Sequence, residues 1–281
     1  MIIDDLILEK CIGQNSFSKI YLTSKKGDSK KYTTKKFERD QIEGSDEYKY
    51  LKNEIIFLQN LKHPNIIKFE DVKKTKKHFY IITEFCNGGT LSIELEKYQK
   101  KYNKYFSQKI VQHLMRQIID AFKYIHNQNI FHRNIKMDNI LINYETKEDK
   151  ENLNLMKANA KIIGFGFACK ISKNNNNLGR QINMEYIRKQ AYYGQKADIW
   201  SLGTICYEML FGKSNFDAEN IGQLVSKIND GTYPILTLSK EVISFLNDML
   251  YHNSNSILNC EQLSKHSFLS KNINDFHRID I

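Results

Sequence analysis

The 281-residue sequence predicts an α+β architecture of two lobes, a small β-sheet lobe with one helix followed by a larger helical lobe. Three observations carry that expectation. β-Branched and aromatic runs separated by glycine turns fill roughly the first 85 residues, with one stretch at helical spacing among them. The tripeptide Asn87-Gly88-Gly89 then breaks the pattern. Beyond it helical periodicity dominates, ending in a nearly all-apolar run from Ala197 to Leu210 that reads as a buried helix. The expected lobes are residues 1–86 and 87–281, the latter closing in a short tail at 270–281.

Each element follows from a local signal. Leu6 to Cys11 and Lys19 to Thr23 read as strands joined by the turn Ile12-Gly13-Gln14-Asn15-Ser16. Gly27-Asp28 precedes a third strand, Lys30 to Phe37. Leu51, Ile55 and Leu58 give Glu47 to Leu61 a helical stripe, which His63-Pro64-Asn65 stops. Phe79 to Phe85 is the next strand. In the second lobe, Phe106 to Asn127 is long and amphipathic, with Ser107 near its start. Residues 143–160 are rich in Lys, Glu and Asn and read as a polar insertion between two short strands.

Composition narrows the function classes. Apolar residues make up 41% and charged residues 26%, a globular balance. The five cysteines (Cys11, Cys86, Cys169, Cys206, Cys260) are never in C-x-x-C spacing, which argues for a reducing compartment and against a zinc site. No run approaches the length of a membrane span, and MIIDDLILEK is not a signal sequence, so no membrane partner is expected. The expected place is the cytoplasm, with a cytoskeletal or ciliary assembly as one setting. The net charge of +10 has two readings. An A/T-rich genome enriches lysine, asparagine and isoleucine without selection for binding. An acidic partner would select the same excess. Nothing matches a nucleic-acid-binding motif.

Several segments carry chemistry. Phe131-His132-Arg133-Asn134-Ile135-Lys136-Met137-Asp138-Asn139 resembles the catalytic loop of protein kinases, H-R-D-x-K-x-x-N. Ile163-Gly164-Phe165-Gly166 follows where the kinase D-F-G belongs, and Lys196-Ala197-Asp198-Ile199-Trp200 looks like the start of the family's buried helix. Upstream stand a glycine turn, Lys35 in Tyr32-Thr33-Thr34-Lys35 at the V-A-I-K position, Glu54 on the first helix, and a hinge at Glu84-Phe85-Cys86. Their order covers about residues 6–270. The resemblance implies the bilobal protein-kinase fold. Within the family, Gly164-Phe165-Gly166-Phe167-Ala168 resembles the autophagy-initiating and Fused-like serine/threonine kinases, and the calcium/calmodulin-type kinases match nearly as well.

The resemblance also assigns roles. Ile12, Ile20, Thr33 and Leu141 would wall the adenine slot, Thr83 would guard its back, and Glu84 and Cys86 would line the hinge. Lys35 would contact phosphates, held by Glu54, although the pair could equally be a packing device. Lys136 stands where relatives steer the γ-phosphate, and Asn139 is a residual metal position. Leu58, Phe69, His132 and Phe165 match the column tying the lobes, and Asp198 matches the aspartate that holds the catalytic-loop backbone. Arg133 reads as structural and Asp138 as a solvated neighbour.

Four parts are degenerate. Asn134 stands for the catalytic aspartate, and an amide cannot take a proton from a substrate hydroxyl near neutral pH. Gly164 stands for the metal-binding aspartate and offers no ligand. Asn15 and Ser18 replace two glycines of the phosphate-covering turn. Gly179 to Glu185 lacks the Thr-Pro and Ala-Pro of the usual activation segment, and Glu185 lacks an arginine partner at Ser256 or Ile257. The expectation is therefore a pseudokinase: no functional catalytic residue, no metal, no required cofactor beyond weak ATP binding without Mg²⁺, and a scaffolding role with protein partners. The alternatives are an unorthodox active serine/threonine kinase and a nucleotide sensor without turnover.

Overall fold

A computed structural model describes residues 2–14, 17–171, 184–212, 238–250 and 258–272, with side chains on the 184–212 segment from Gly194 onward. The first lobe is a six-stranded antiparallel sheet in the order β1-β2-β3-β4-β6-β5. Its strands are β1 (Ile2–Ile3), β2 (Leu6–Gln14), β3 (Ser18–Lys25), β4 (Lys31–Glu38), β5 (Phe69–Lys74) and β6 (His78–Glu84). Two helices, α1 (Arg39–Ile42) and α2 (Asp46–Asn60), lie between β4 and β5.

Strand alternation gives the sheet two faces. Phe79 and Ile81 of β6 point with Phe37 toward α2, where Ile42 and Leu51 complete a small core. Tyr80 and Ile82 point the other way, onto Leu6, Leu8 and Tyr32. Lys35 sits opposite Ile81 in the ladder, so it shares the α2 face. That parity brings its ammonium toward Glu54.

The second lobe begins at α3 (Leu91–Tyr102), whose N-cap Thr90 accepts a hydrogen bond from the Ile93 amide. Next comes α4 (Gln108–His126), capped by Ser107. Its apolar positions Val111, Leu114, Met115, Ile118, Ile119, Phe122 and Ile125 recur at three and four residues, and all are fully buried. Short strands follow: β7 (Ile130–Phe131), β8 (Ile140–Tyr144), β9 (Ala158–Ile162) and β10 (Cys169–Lys170), with α5 (Lys147–Glu151) between β8 and β9. β8 pairs with β9, and β10 with β7. Helices α6 (Met184–Phe211), α7 (Lys240–Leu250), α8 (Cys260–Ser264) and α9 (Ser267–Ser270) complete the lobe. Among the described residues no helix is long and apolar enough to cross a membrane.

Three sequence readings need correction. The buried helix expected from Ala197 starts at Met184, because no proline interrupts the preceding turns. Gly194 lies inside it, where a Cβ would come within 2.9 Å of the Phe131 ring, so only glycine lets α6 approach β7 so closely. The polar insertion at 143–160 is shorter than its composition implied. Asn143 and Tyr144 end β8, and Ala158 begins β9. Between them the Thr146 hydroxyl accepts from the Asp149 amide at 3.0 Å, and Asn154 donates to Asp149 at 2.8 Å. Leu155 drops into the core at 1% exposure, so polar residues satisfy one another around an apolar anchor. Finally, β1, β5 and α3 went unread. β5 is an edge strand, Phe-Glu-Asp-Val-Lys-Lys, whose charges guard the edge and hide its strand character.

Phe122 is fully buried where α4 meets the rest of the lobe. Phe122→Ala should cost about 3–5 kcal/mol, read from the urea midpoint. A loss under about 1 kcal/mol would show that α4 does not organise this core.

Candidate nucleotide cleft

The cleft is assembled around a buried carboxylate. Asp198 of α6 is 1% exposed and accepts from the backbone amides of His132 and Arg133, each at 2.8 Å. His126 Nε2 lies 2.9 Å from the same carboxylate. These bonds fix the loop after β7, including Arg133 in the left-handed region at φ 66°. Arg133 itself faces solvent.

His132 continues the network. Its Nε2 donates to the Ile163 carbonyl at 3.0 Å, and its Nδ1 accepts from the Asn134 amide at 3.3 Å. The ring packs edge-on against Phe165, centroids 4.9 Å apart. Leu58 is buried with Phe165 in the same core, and Phe69 packs against it. Burial holds the His132 pKa below its ordinary value, in keeping with a neutral ring that uses both nitrogens.

The degenerate positions sit together. Asn139 Nδ2 donates to the Asn134 carbonyl at 2.7 Å, and the Asn139 carbonyl accepts from the Ile163 amide at 3.0 Å. Gly164 follows at φ 84°, a left-handed conformation. A Cβ built there would lie 2.9 Å from Asn139 Oδ1, so the asparagine amide closes over the glycine. Lys136 is exposed and 3.6 Å from Asp138, whose carboxylate also accepts from Ser92 at 2.5 Å. Asp138 is thus engaged by two neighbours.

On the sheet side, Lys35 Nζ and Glu54 Oε2 form an ion pair at 3.1 Å. Thr33 sits opposite Thr83 and beside Leu22, and Ile20 opposite both Gly13 and Lys35. Ile12 is 47% exposed, whereas Ile20, Thr33, Thr83 and Leu141 are half-buried. Glu84 pairs with Lys161 at 2.8 Å and accepts from the Lys68 amide. The Cys86 thiol is buried, which pushes its pKa up to about 12 and keeps it protonated. Ser18 is 4% exposed within β3. Asn15, Gly179 to Asn183, Ser256 and Ile257 lie outside the described residues, as does the side chain of Glu185.

Asn53 is a further residue of the site, one that periodicity does not single out. Its Nδ2 donates to the carbonyls of Gly166 at 2.8 Å and Ala168 at 2.7 Å. One turn away, Tyr50 stacks on Phe167 with centroids 4.2 Å apart. Helix α2 is therefore clamped onto the turn after Gly164. An asparagine beside the expected Glu54 was the available signal, but periodicity assigns an amide no role.

The chain matches the protein kinase domain over residues 6–269. It belongs to the protein kinase family. Among curated relatives it is 28% identical to calcium-dependent protein kinase 5 of Plasmodium falciparum, with 92% of this chain and 44% of the relative covered. It is 30% identical to protein kinase 2 of Dictyostelium discoideum (88% and 49%) and 31% identical to serine/threonine-protein kinase 33 of Bos taurus (79% and 45%). The chain thus spans less than half the length of these relatives. The two-lobed architecture described above is the bilobal protein kinase fold.

Kinases use Mg²⁺ to bridge phosphates, and the residues here offer that ion no carboxylate at position 164. A hard divalent cation takes several oxygen ligands, carboxylates foremost. Gly164 supplies none, and Asn139, whose Nδ2 donates to the Asn134 carbonyl, has only its neutral amide oxygen to offer. Among the described residues no group of three acidic, histidine or cysteine side chains could hold a metal.

Two predictions follow from this geometry. Asn53→Ala leaves the Gly166 and Ala168 carbonyls without their donor, at a cost of about 1–3 kcal/mol. Amide exchange at Ala168 and Ile171 should quicken. Unchanged exchange would remove the clamp from the account.

The second concerns pH. Unfolding frees His132 to bind a proton near pH 6.5, whereas the folded site resists it. The contribution is fully present above the unfolded pKa and declines as pH falls below it. His78 and His266, also lowered by burial, act in the same direction. The urea midpoint should drop between about pH 7 and about pH 5, before carboxylates titrate. A flat midpoint over that window would contradict the neutral buried ring.

Proposed function

We propose that this kinase-family chain is a pseudokinase that works as a binding or scaffolding module for protein partners. The observation that carries the reading is the junction of Asn134, Asn139 and Gly164. The positions of the general base and the metal carboxylate hold an amide and a glycine, and the remaining asparagine, held by its Nδ2 on the Asn134 carbonyl, offers a metal ion a single neutral oxygen. Losing a general base alone typically costs about 10²- to 10⁴-fold. Losing the carboxylate that would hold the charge-neutralising metal ion adds to it. Nucleotide binding, where it occurs, would rest on Lys35 and the apolar walls and be weak and indifferent to Mg²⁺.

The relatives' names include a calcium-dependent kinase, which favours the calcium/calmodulin-type branch over the Fused-like one. A second reading, an ATP-using serine/threonine kinase, draws support from those names and from the formed Lys35–Glu54 pair. Asp138 is a poor substitute base in that reading, because Ser92 and Lys136 already engage it.

Incubation with γ-labelled ATP and Mg²⁺ should leave generic and self substrates at the level of Lys35→Met protein. Thermal shifts with ATP should be small and equal with and without Mg²⁺, since stabilisation grows with ligand excess over Kd. Incorporation that vanishes in Lys35→Met would establish the active enzyme instead, and a shift seen only with Mg²⁺ would show a metal site that the loss of the carboxylate at Gly164 does not abolish.

A further inference from the structure

Away from the cleft, a groove of about 470 Å³ runs between α3 and the turn that follows α5. One wall is the face of α3 carrying Lys97, Lys100 and Lys101, and the other carries Lys150 and Glu151, with Leu153 also lining it. We propose that this groove docks an acidic, extended peptide segment of a partner protein. The site lies outside the phosphate-transfer machinery, so the inference does not rest on the pseudokinase reading.

The groove is preformed. Lys101 Nζ donates to the Glu151 carbonyl at 2.8 Å, and the Tyr102 hydroxyl donates to the Asn152 carbonyl at 2.7 Å. These bonds tie the two walls. Leu153 adopts φ 51°, a left-handed conformation unusual for leucine, and packs against the core while lining the groove. A ligand would therefore meet a fixed surface and lose little to ordering it.

Its charge is one-sided. Glu94 is buried and taken by Lys97 at 2.7 Å, by the Tyr144 hydroxyl and by the Gly89 amide. Glu151 is paired with Lys147 at 3.6 Å. Lys100 and Lys150 are exposed and make no side-chain ion pair or hydrogen bond among the described residues, one on each wall. The two walls favour a peptide. An extended chain sends alternate side chains to opposite sides, so acidic residues of a peptide lying between the walls can reach Lys100 on one and Lys150 on the other. No aromatic side chain lines the groove to stack a base, which single-stranded nucleic acid would use.

The test uses the 281-residue chain and a fluorescein-labelled decapeptide of alternating Glu and Ser, read by fluorescence anisotropy. Saturable binding should appear at low ionic strength and weaken toward physiological salt. The pair Lys100→Glu/Lys150→Glu should weaken it by roughly tenfold or more. The pair Lys10→Glu/Lys26→Glu, equal in charge but on the sheet lobe, should leave it nearly unchanged. Should the first pair fail to fold, Lys100→Gln/Lys150→Gln replaces it. Equal losses from both pairs, or no saturable binding, would overturn the proposal. So would tighter binding of a labelled deoxythymidine decamer or of phosphatidylserine vesicles through Lys100 and Lys150, which would assign the groove to another class of ligand.

Discussion

The buried carboxylate of Asp198 is the constraint on which the cleft depends. A carboxylate taken from water costs several kcal/mol unless donors surround it. Here two backbone amides and the His126 ring supply them, and charge-assisted bonds of this kind are roughly twice as strong as neutral ones. The loop holding Asn134 and Asn139 is thereby fixed to α6, and His126 joins α4 to the same point. From there His132 reaches the Ile163 carbonyl, Phe165 follows, and Asn53 links that turn to α2. The last step is Glu54 to Lys35 in the sheet. One continuous set of contacts thus runs from the helical lobe into the sheet lobe.

At the positions of the general base and the metal carboxylate, that path runs through backbone atoms. Asn134 contributes backbone atoms to the network, its amide to His132 and its carbonyl to Asn139. Gly164 contributes its left-handed backbone, which aspartate also tolerates more readily than most residues. The side chains present supply neither a general base at position 134 nor a carboxylate ligand at position 164, while the backbone bonds of the loop are made. What holds this loop in place is its backbone, so its geometry does not depend on which side chains stand at positions 134 and 164.

Much of this was legible in the sequence. The long stripe of α4, the apolar run of α6, and the catalytic-loop and glycine-phenylalanine-glycine segments each announce themselves within a few residues. What stayed hidden depends on distant partners. Asn53 is one amide on a helix face, and its role appears only when α2 meets residues 166 to 168. Asp149 and Asn154 read as loop polarity, yet they satisfy each other in an ordered turn. The early start of α6 was equally unreadable, since the close approach of Gly194 to Phe131 exists only once the helix meets β7.

The contacts that set α2 differ in weight, and the ordering matters for regulation. The Lys35–Glu54 pair is partly exposed, and pairs in such settings contribute about 0–1 kcal/mol. The Tyr50–Phe167 ring contact adds about 0.5–1.5 kcal/mol, and burying Leu51 or Leu58 is worth about 1.5–3 kcal/mol each. Apolar packing and the Asn53 clamp therefore hold α2 inward, and the ion pair follows their lead. All of these are contacts between protein atoms, so they act whether or not a nucleotide occupies the cleft. A ligand shifts a conformational equilibrium only by its differential affinity for the two states. Where α2 is already held inward by packing, a phosphate on Lys35 has little left to shift. Control of such a module falls to surfaces whose occupancy changes what it binds.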